Sequence, residues 1–271
     1  MTREALPDAD PPAGAADLRA AGVWLTVHGM TEAAPTPLLA ERLAVRVRAR
    51  LAAQIGAAVL IIGSALAAVS AFGGSQRYRP LSLLALTALV VALLLMQSLL
   101  DWWVRRVDRR ASATLSRRAA HSIQPGWRAV LGRPFAALMV GTFVGGMGLA
   151  GSALAVPDRL VRQLAVVLLI GLLGVTAITA VQLRHLLRRP VVAEDEESLT
   201  ADVIMRVEDA RELTAPNVQV TLPMVLAFGA APGWWRVAAV AYLLVAMGAF
   251  VVLRTRSSPS ATVARRVMGA R

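Results

Sequence analysis

Three histidines, one pair of adjacent glutamates and one His-Gly dipeptide are the residues whose types could carry out chemistry. His28, His121 and His185 lie in three separate non-membrane segments, with no partner at a metal-ligand or acid–base spacing. VHGM, residues 27–30, holds a His-Gly pair of the kind oxyanion loops use. The nucleophile elbow G-x-S-x-G that should accompany it is missing, and GGSQ at 73–76 does not supply one. Glu196 and Glu197 would need a His-bearing apolar span opposite them to act in a membrane protease, and no span contains one. Cysteine is absent, which removes thiol nucleophiles, disulfides and Cys-based zinc sites. The expectation is a protein that is not an enzyme and has no catalytic residue, cofactor or metal site.

The segments around these residues explain their isolation. Apolar residues make up 56% of the 271, above the roughly 45–50% usual in soluble domains, and the mean hydropathy is +0.59. A helix needs about 20 apolar residues to cross a hydrocarbon core of about 30 Å. Leu51–Phe72, Pro80–Leu100, Pro134–Val156, Leu160–Leu183 and Trp234–Leu253 meet that length. Backbone groups in lipid must be satisfied internally, so these runs should be helices. VQVTLPMVLAFGAA, 218–231, is short and interrupted by Pro223, and reads as a sixth segment that is either a poor span or re-entrant. The fold class expected is all-α: a polytopic transmembrane bundle over 37–256 with five clear spans, this sixth segment and cytoplasmic amphipathic helices. A disordered or small cytoplasmic N-region, 1–36, precedes it, and a basic cytoplasmic tail, 257–271, follows.

Charge sets the orientation. All 29 basic residues are arginine and the formal net charge is +12. A pI of about 11.7 would suggest nucleic acid in a soluble chain, but here the arginines flank apolar runs and no nucleic-acid partner is expected. Six arginines lie in 1–50, eight in 101–133 and five in 184–216, against two at each hairpin tip, 73–79 and 157–162. The positive-inside rule then puts the N-terminus and the loops 101–133 and 184–216 in the cytoplasm of a multi-pass cell-membrane protein. The tail 254–271 holds five arginines and no acid, which favours six crossings with the C-terminus also inside. LLLMQSLLDWWVRRVDRR, 93–110, is one such boundary. Trp102 and Trp103 suit the headgroup layer, Arg105, Arg106, Arg109 and Arg110 lie beyond it, and Asp101 marks the water line.

Polar content inside the five spans is low: hydroxyl residues that can bond their own helix backbone, with Gln54, Gln97 and Gln182 nearer the ends. Gly141, Gly145, Gly148 and Ser152 form a nearly bare face at i, i+4, i+7 and i+11, with a G-x-x-x-G pair that admits close helix packing. The first span carries a weaker stripe through Ala52, Gly56, Gly63, Ala67 and Ser70, and the simplest reading pairs these two helices. GSALAAV at 63–69 recurs as GSALAV at 151–156, either a tandem hairpin repeat or a chance match between Ala/Leu/Gly-rich helices. PLLAERLAVRVRARLAAQ, 37–54, reads as a lead-in helix with Leu39, Leu43, Val47 and Leu51 on one edge. AGVWLTVHGM, 21–30, reads as a strand or interfacial segment.

Two cytoplasmic segments remain. ASATLSRRAAHSIQPGW, 111–127, continues a basic helix that can lie on anionic headgroups of the inner leaflet. SLTADVIMRVEDAREL, 198–213, carries Leu199, Val203, Val207 and Ala210 as a stripe that must cover a neighbouring loop or a second protein. Its acids, Asp202, Glu208, Asp209 and Glu212, are expected to face the 105–118 arginines as exposed pairs, each contributing about 0–1 kcal/mol. The partners expected are the bilayer and either a second copy or a cytoplasmic protein. The function expected is a non-enzymatic scaffold, assembly or regulatory subunit acting through its cytoplasmic loops. In outline the chain also resembles the six-span permeases of ATP-driven exporters, through the lead-in 37–54, the helix 101–120 and the short membrane segment near the last span. That resemblance implies, as the alternative, a permease subunit with a separate ATPase.

Overall fold

The structure is a computed structural model that describes residues 14–73, 79–114, 126–189, 196–216, 219–220, 222–223 and 232–269. Among them there is no strand. The helices are α1 (Ala15–Val27), α2 (Pro37–Gly73), α3 (Arg79–Thr114), the single turn α4 (Trp127–Val130), α5 (Arg133–Ser152), α6 (Arg159–Arg188), α7 (Glu196–Glu212), α8 (Gly233–Arg256) and α9 (Ser260–Gly269). Four stretches are long and apolar enough to cross a membrane: Thr87–Arg110, Arg133–Ala155, Arg159–Arg188 and Gly233–Arg256. That is fewer than the five clear spans expected. The stretch Leu51–Phe72 is the second part of α2 and is not among the four.

The lead-in 37–54 and the expected first span are one unbroken helix, because no proline or cap interrupts residues 38–73. At 1.5 Å per residue α2 is about 55 Å long, well beyond a hydrocarbon core of about 30 Å. α3 has nearly the same length and runs antiparallel beside it. Small residues set their spacing: a Cβ on Gly56 would overlap the Met96 methyl at 2.1 Å, and one on Gly63 would meet Leu89 at 3.2 Å. Val90 and Leu94 of α3 fit over Gly171 and Gly174 of α6 in the same manner.

α6 is the central helix. Leu160, Leu164, Leu168, Leu172 and Val175 are buried at helical spacing, against Val90 and Leu93 of α3, Phe143 and Ala150 of α5, and Trp235 and Ala239 of α8. Its start is fixed by Asp158, whose carboxylate accepts from the Leu160 and Val161 amides at 2.7 and 3.4 Å, the usual N-cap arrangement. The two copies of the GSAL motif differ locally. The first lies within uninterrupted α2, whereas the second ends α5 and passes through a 3-10 turn, Ala153–Ala155, ahead of Pro157 and the Asp158 cap.

One end of this bundle is covered by α1, α4, α7 and α9. Residues 21–27, expected as a strand or interfacial segment, belong to helix α1, where Ala21 and Leu25 are buried one turn apart. The basic tail likewise contains α9, which packs Ala261 and Ala264 on Val203 and Ile204 of α7, beside Trp24 and Met30. The N- and C-terminal helices therefore share one end. Leu213 and Ala215 lie beside Arg50 at that end. Trp235 is at the other, donating from its indole to the Leu149 carbonyl at 3.1 Å and the Ser152 hydroxyl at 3.2 Å. Between them Gln219, Val220 and Leu222 are buried inside the bundle. The rest of 218–231, apart from Pro223, lies outside the described residues.

Candidate functional site

The buried face of α2 at the covered end is charged. Ala40, Arg42, Val45, Arg46 and Ala49 turn inward, while Val47 is 62% and Leu51 56% exposed. The apolar edge at Leu39, Leu43, Val47 and Leu51 is thus not the packed edge; the interior takes Arg42 and Arg46, while Arg48 stays exposed.

Those arginines meet carboxylates from two other helices. Asp108 of α3 accepts from Arg42 Nε at 3.0 Å and Arg46 Nη2 at 2.8 Å, and also pairs with Arg189 just beyond α6. Asp202 of α7, completely buried, pairs with Arg42, with Arg189 at 3.1 Å and with Arg206 one turn along its own helix at 3.2 Å. Asp209 closes the set on Arg46 Nε at 2.9 Å and Arg50 at 3.3 Å. Five arginines and three aspartates from α2, α3, α7 and the end of α6 make one network. Asp202 and Asp209 of α7 therefore face α2 and the end of α6, Glu208 meets His28 at the end of α1, and Asp108 of α3 joins the set as an acid. The expected exposed pairs are replaced by a buried set, because α7 lies across the bundle end and not beside the arginines of α3.

Burial raises the cost of every charge in this network, and the opposing charges decide which remain ionised. Burial alone would raise the Asp202 carboxyl, but Arg189, Arg42 and Arg206 hold it well below the usual carboxylate range. Arg46 is held charged above its ordinary value: burial disfavours the guanidinium, and Asp209 and Asp108 outweigh that. Arg206 is shifted downward by its burial, which its one carboxylate does not offset, and its Nε and Nη1 have no hydrogen-bond partner.

Beside the network lies a cavity of about 760 Å³, within the range of small-molecule sites. Its outer part carries Arg46, Arg50, Arg105, Arg109, Arg188 and Arg189 with Asp101, Asp108, Asp209 and Glu212. Further along α2, α3 and α6 its wall carries Gln54, Gln97, Gln182 and Thr179, joined by Gln219, among Ala53, Leu100, Val104 and Val175. His185 and Trp102 also border it. Among the described residues no group of three or more His, Asp or Glu side chains could hold a metal ion.

The residues singled out by spacing separate into several places. On α5 a Cβ on Gly145 would lie 2.8 Å from the Tyr242 ring, and one on the neighbouring Gly146 3.0 Å from the Gln219 carbonyl, whereas Gly141 and Gly148 face open space. At Gly145 the face meets Tyr242 of α8 and not α2; the Tyr242 hydroxyl donates to the Thr142 carbonyl. Ser152 returns its hydroxyl to Leu149 at 2.7 Å. Trp102 is exposed with the Arg106 guanidinium 5.2 Å from its ring centroid, and Arg105 pairs with Asp101 at 2.7 Å. Arg109 lies one turn beyond Arg105 and donates to its carbonyl. Trp103 is half-buried and Arg110 exposed. Val203, Val207 and Ala210 are buried by other parts of this chain, and Leu199 is half-buried. His121 and most of the basic helix 111–127 lie outside the described residues.

VHGM is a helix stop. Gly29 takes a positive φ of 71°, and the Gly29 and Met30 amides donate back to Thr26 and Leu25, the Schellman closure that favours glycine. The His28 imidazole stacks on Trp24 with ring centroids 4.3 Å apart, and its Nε2 meets Glu208 of α7 at 2.9 Å. That hydrogen bond raises the His28 pKa above 6.5 despite partial burial.

Sequence spacing did not reveal Arg42, Arg46, Asp108, Arg189, Asp202 and Arg206 as a set. One signal was available: Arg42 and Arg46 are one turn apart, as are Asp202 and Arg206, each pair with apolar residues between its members. Together, fold and site define an all-helical protein with membrane-length apolar helices, a folded polar end and a charged-rimmed cavity. Comparison of the chain with protein-family models, curated proteins and solved structures gives no match.

Proposed function

We propose that the chain is a non-enzymatic scaffold or regulatory protein of the cell membrane, crossing it six times, with its polar end in the cytoplasm. The observation that carries this reading is the buried arginine–aspartate network. It fixes α7 across the end of the bundle, and α1 and α9 pack on α7, a cap suited to hold a fixed surface at the inner face. Six crossings are supported by parity. α1 and α9 meet at one end, five long helices run between the ends, and residues 215–232 must return the chain from that end to the other. Orientation rests on the arginine distribution.

Two measurements test the reading. The chain has no cysteine, so single cysteines report cleanly. With a membrane-impermeant maleimide on intact cells, Pro157→Cys should label, and Asp17→Cys and Ser258→Cys only after permeabilisation. Labelling of either terminal site in intact cells would overturn the topology. Purification in mild detergent with mass spectrometry then separates the functions. A second reading, the permease subunit, is favoured by the cavity alone, and a stoichiometric ATP-hydrolysing partner would establish it in place of the scaffold.

A further inference from the structure

Four glutamines from four separate segments converge on one cavity: Gln54 of α2, Gln97 of α3, Gln182 of α6 and Gln219, which is buried beside Val220. An amide within an apolar helix is costly unless something satisfies it. Gln219 is only 4% exposed, and its Oε1 has no hydrogen-bond partner. It borders the cavity, so a molecule there would supply the missing donor. The helix positions order the walls. On α2, α3 and α6 the arginines lie toward the capped end and the glutamines one to three turns deeper. The rim holds six arginines and four carboxylates.

We propose that this cavity binds a phosphate ester bearing free hydroxyl groups, its phosphate at the arginine rim and its hydroxyls on the glutamine floor. Guanidinium forks match phosphate oxygens in geometry as well as charge. Amide side chains both donate to and accept from hydroxyls; inorganic phosphate keeps a P–OH donor at neutral pH but, held at the arginine rim, has no second group to reach the glutamine floor. Ala53, Leu100, Val104, Val175 and Leu186 also line the cavity, so in a lipid-linked ligand the start of an acyl chain would lie against these side chains beside the headgroup. The inference rests on the cavity facing the side where such esters occur, but its test does not.

The full-length protein in neutral detergent presents both faces, so binding can be measured whether or not the topology or the scaffold reading holds. The probes are glycerol 3-phosphate, inorganic phosphate, phosphatidylglycerol and phosphatidylcholine, titrated by isothermal calorimetry and thermal shift. Saturable binding of glycerol 3-phosphate, of phosphatidylglycerol or of both is expected, with inorganic phosphate at least tenfold weaker and phosphatidylcholine not binding. Glycerol 3-phosphate binding alone identifies a free ester as the source, and phosphatidylglycerol binding alone a lipid headgroup. Gln219→Leu and Arg188→Gln should each weaken binding tenfold or more. If Gln219→Leu fails to fold, Gln182→Leu serves in its place, with retained helicity as the control. Inorganic phosphate binding as tightly as the esters, unchanged affinity in the folded glutamine variant, or no saturable binding of either ester would overturn the proposal.

Discussion

The two ends of this molecule are held together by opposite means. In the apolar bundle, glycines let helices approach: Gly171 and Gly174 under Val90 and Leu94, and Gly145 under Tyr242. In the cap, arginines and aspartates connect α2, α3 and the end of α6 to α7. Between helices in lipid there is no hydrophobic driving force, so close van der Waals contact must hold them. Where the helices leave the apolar layer, charge becomes usable, and a buried network is directional enough to fix which helix ends meet. The glycine contacts give proximity with little selectivity among apolar neighbours. The ion network gives selectivity, with a large penalty for any member left alone.

That contrast predicts an order of damage. Asp202→Ala leaves Arg42, Arg189 and Arg206 without the carboxylate they share, and should cost about 3–5 kcal/mol, measured by unfolding in detergent. If it costs less than the glycine variants, the cap is not held by charge. Gly145→Leu drives a side chain into a Tyr242 ring fixed by its hydroxyl bond to Thr142, and overpacking of this kind costs about 1–3 kcal/mol. Gly148→Leu, facing open space, should leave the melting temperature unchanged; equal effects of the two would end the claim of a one-sided contact. Trp235→Phe removes the indole hydrogen bonds at the far end, and about 1 kcal/mol of stability should go with them.

The smallest effect is a pH dependence within the cap. The His28 pKa is raised by Glu208, so this contact contributes fully below about pH 6.5, the ordinary histidine value. Its contribution is lost as pH rises through the raised value of the folded protein. Docking of α1, followed by hydrogen exchange of its amides, should weaken from pH 6 to pH 8, and His28→Gln should abolish that slope. Asp202 behaves oppositely. Its lowered value makes its contribution complete above the normal carboxylate range, so the network should persist across the same interval.

Much of the bundle was legible because the constraint of lipid acts residue by residue. An apolar run of about 20 residues has few structures open to it, and the runs at Pro80–Leu100, Pro134–Val156, Leu160–Leu183 and Trp234–Leu253 all lie in long helices. Partners were not legible. Of the face Gly141, Gly145, Gly148 and Ser152, Gly145 meets the Tyr242 ring, and nothing local names that residue as its neighbour. Gln54, Gln97 and Gln182 each looked like an ordinary polar residue near a span end. Only with Gln219 in one cavity do they become a site.

Composition and spacing by themselves determined that this chain is helical, apolar in long runs and arginine-flanked, because those properties follow from each segment meeting its own solvent. The tertiary structure decided which way α2 faces, that α7 is an interior helix, and that aspartates far apart in sequence share the same arginines. Those outcomes depend on which helix ends come within about 4 Å of one another, the reach of an ion pair. No periodicity within a single helix encodes that distance.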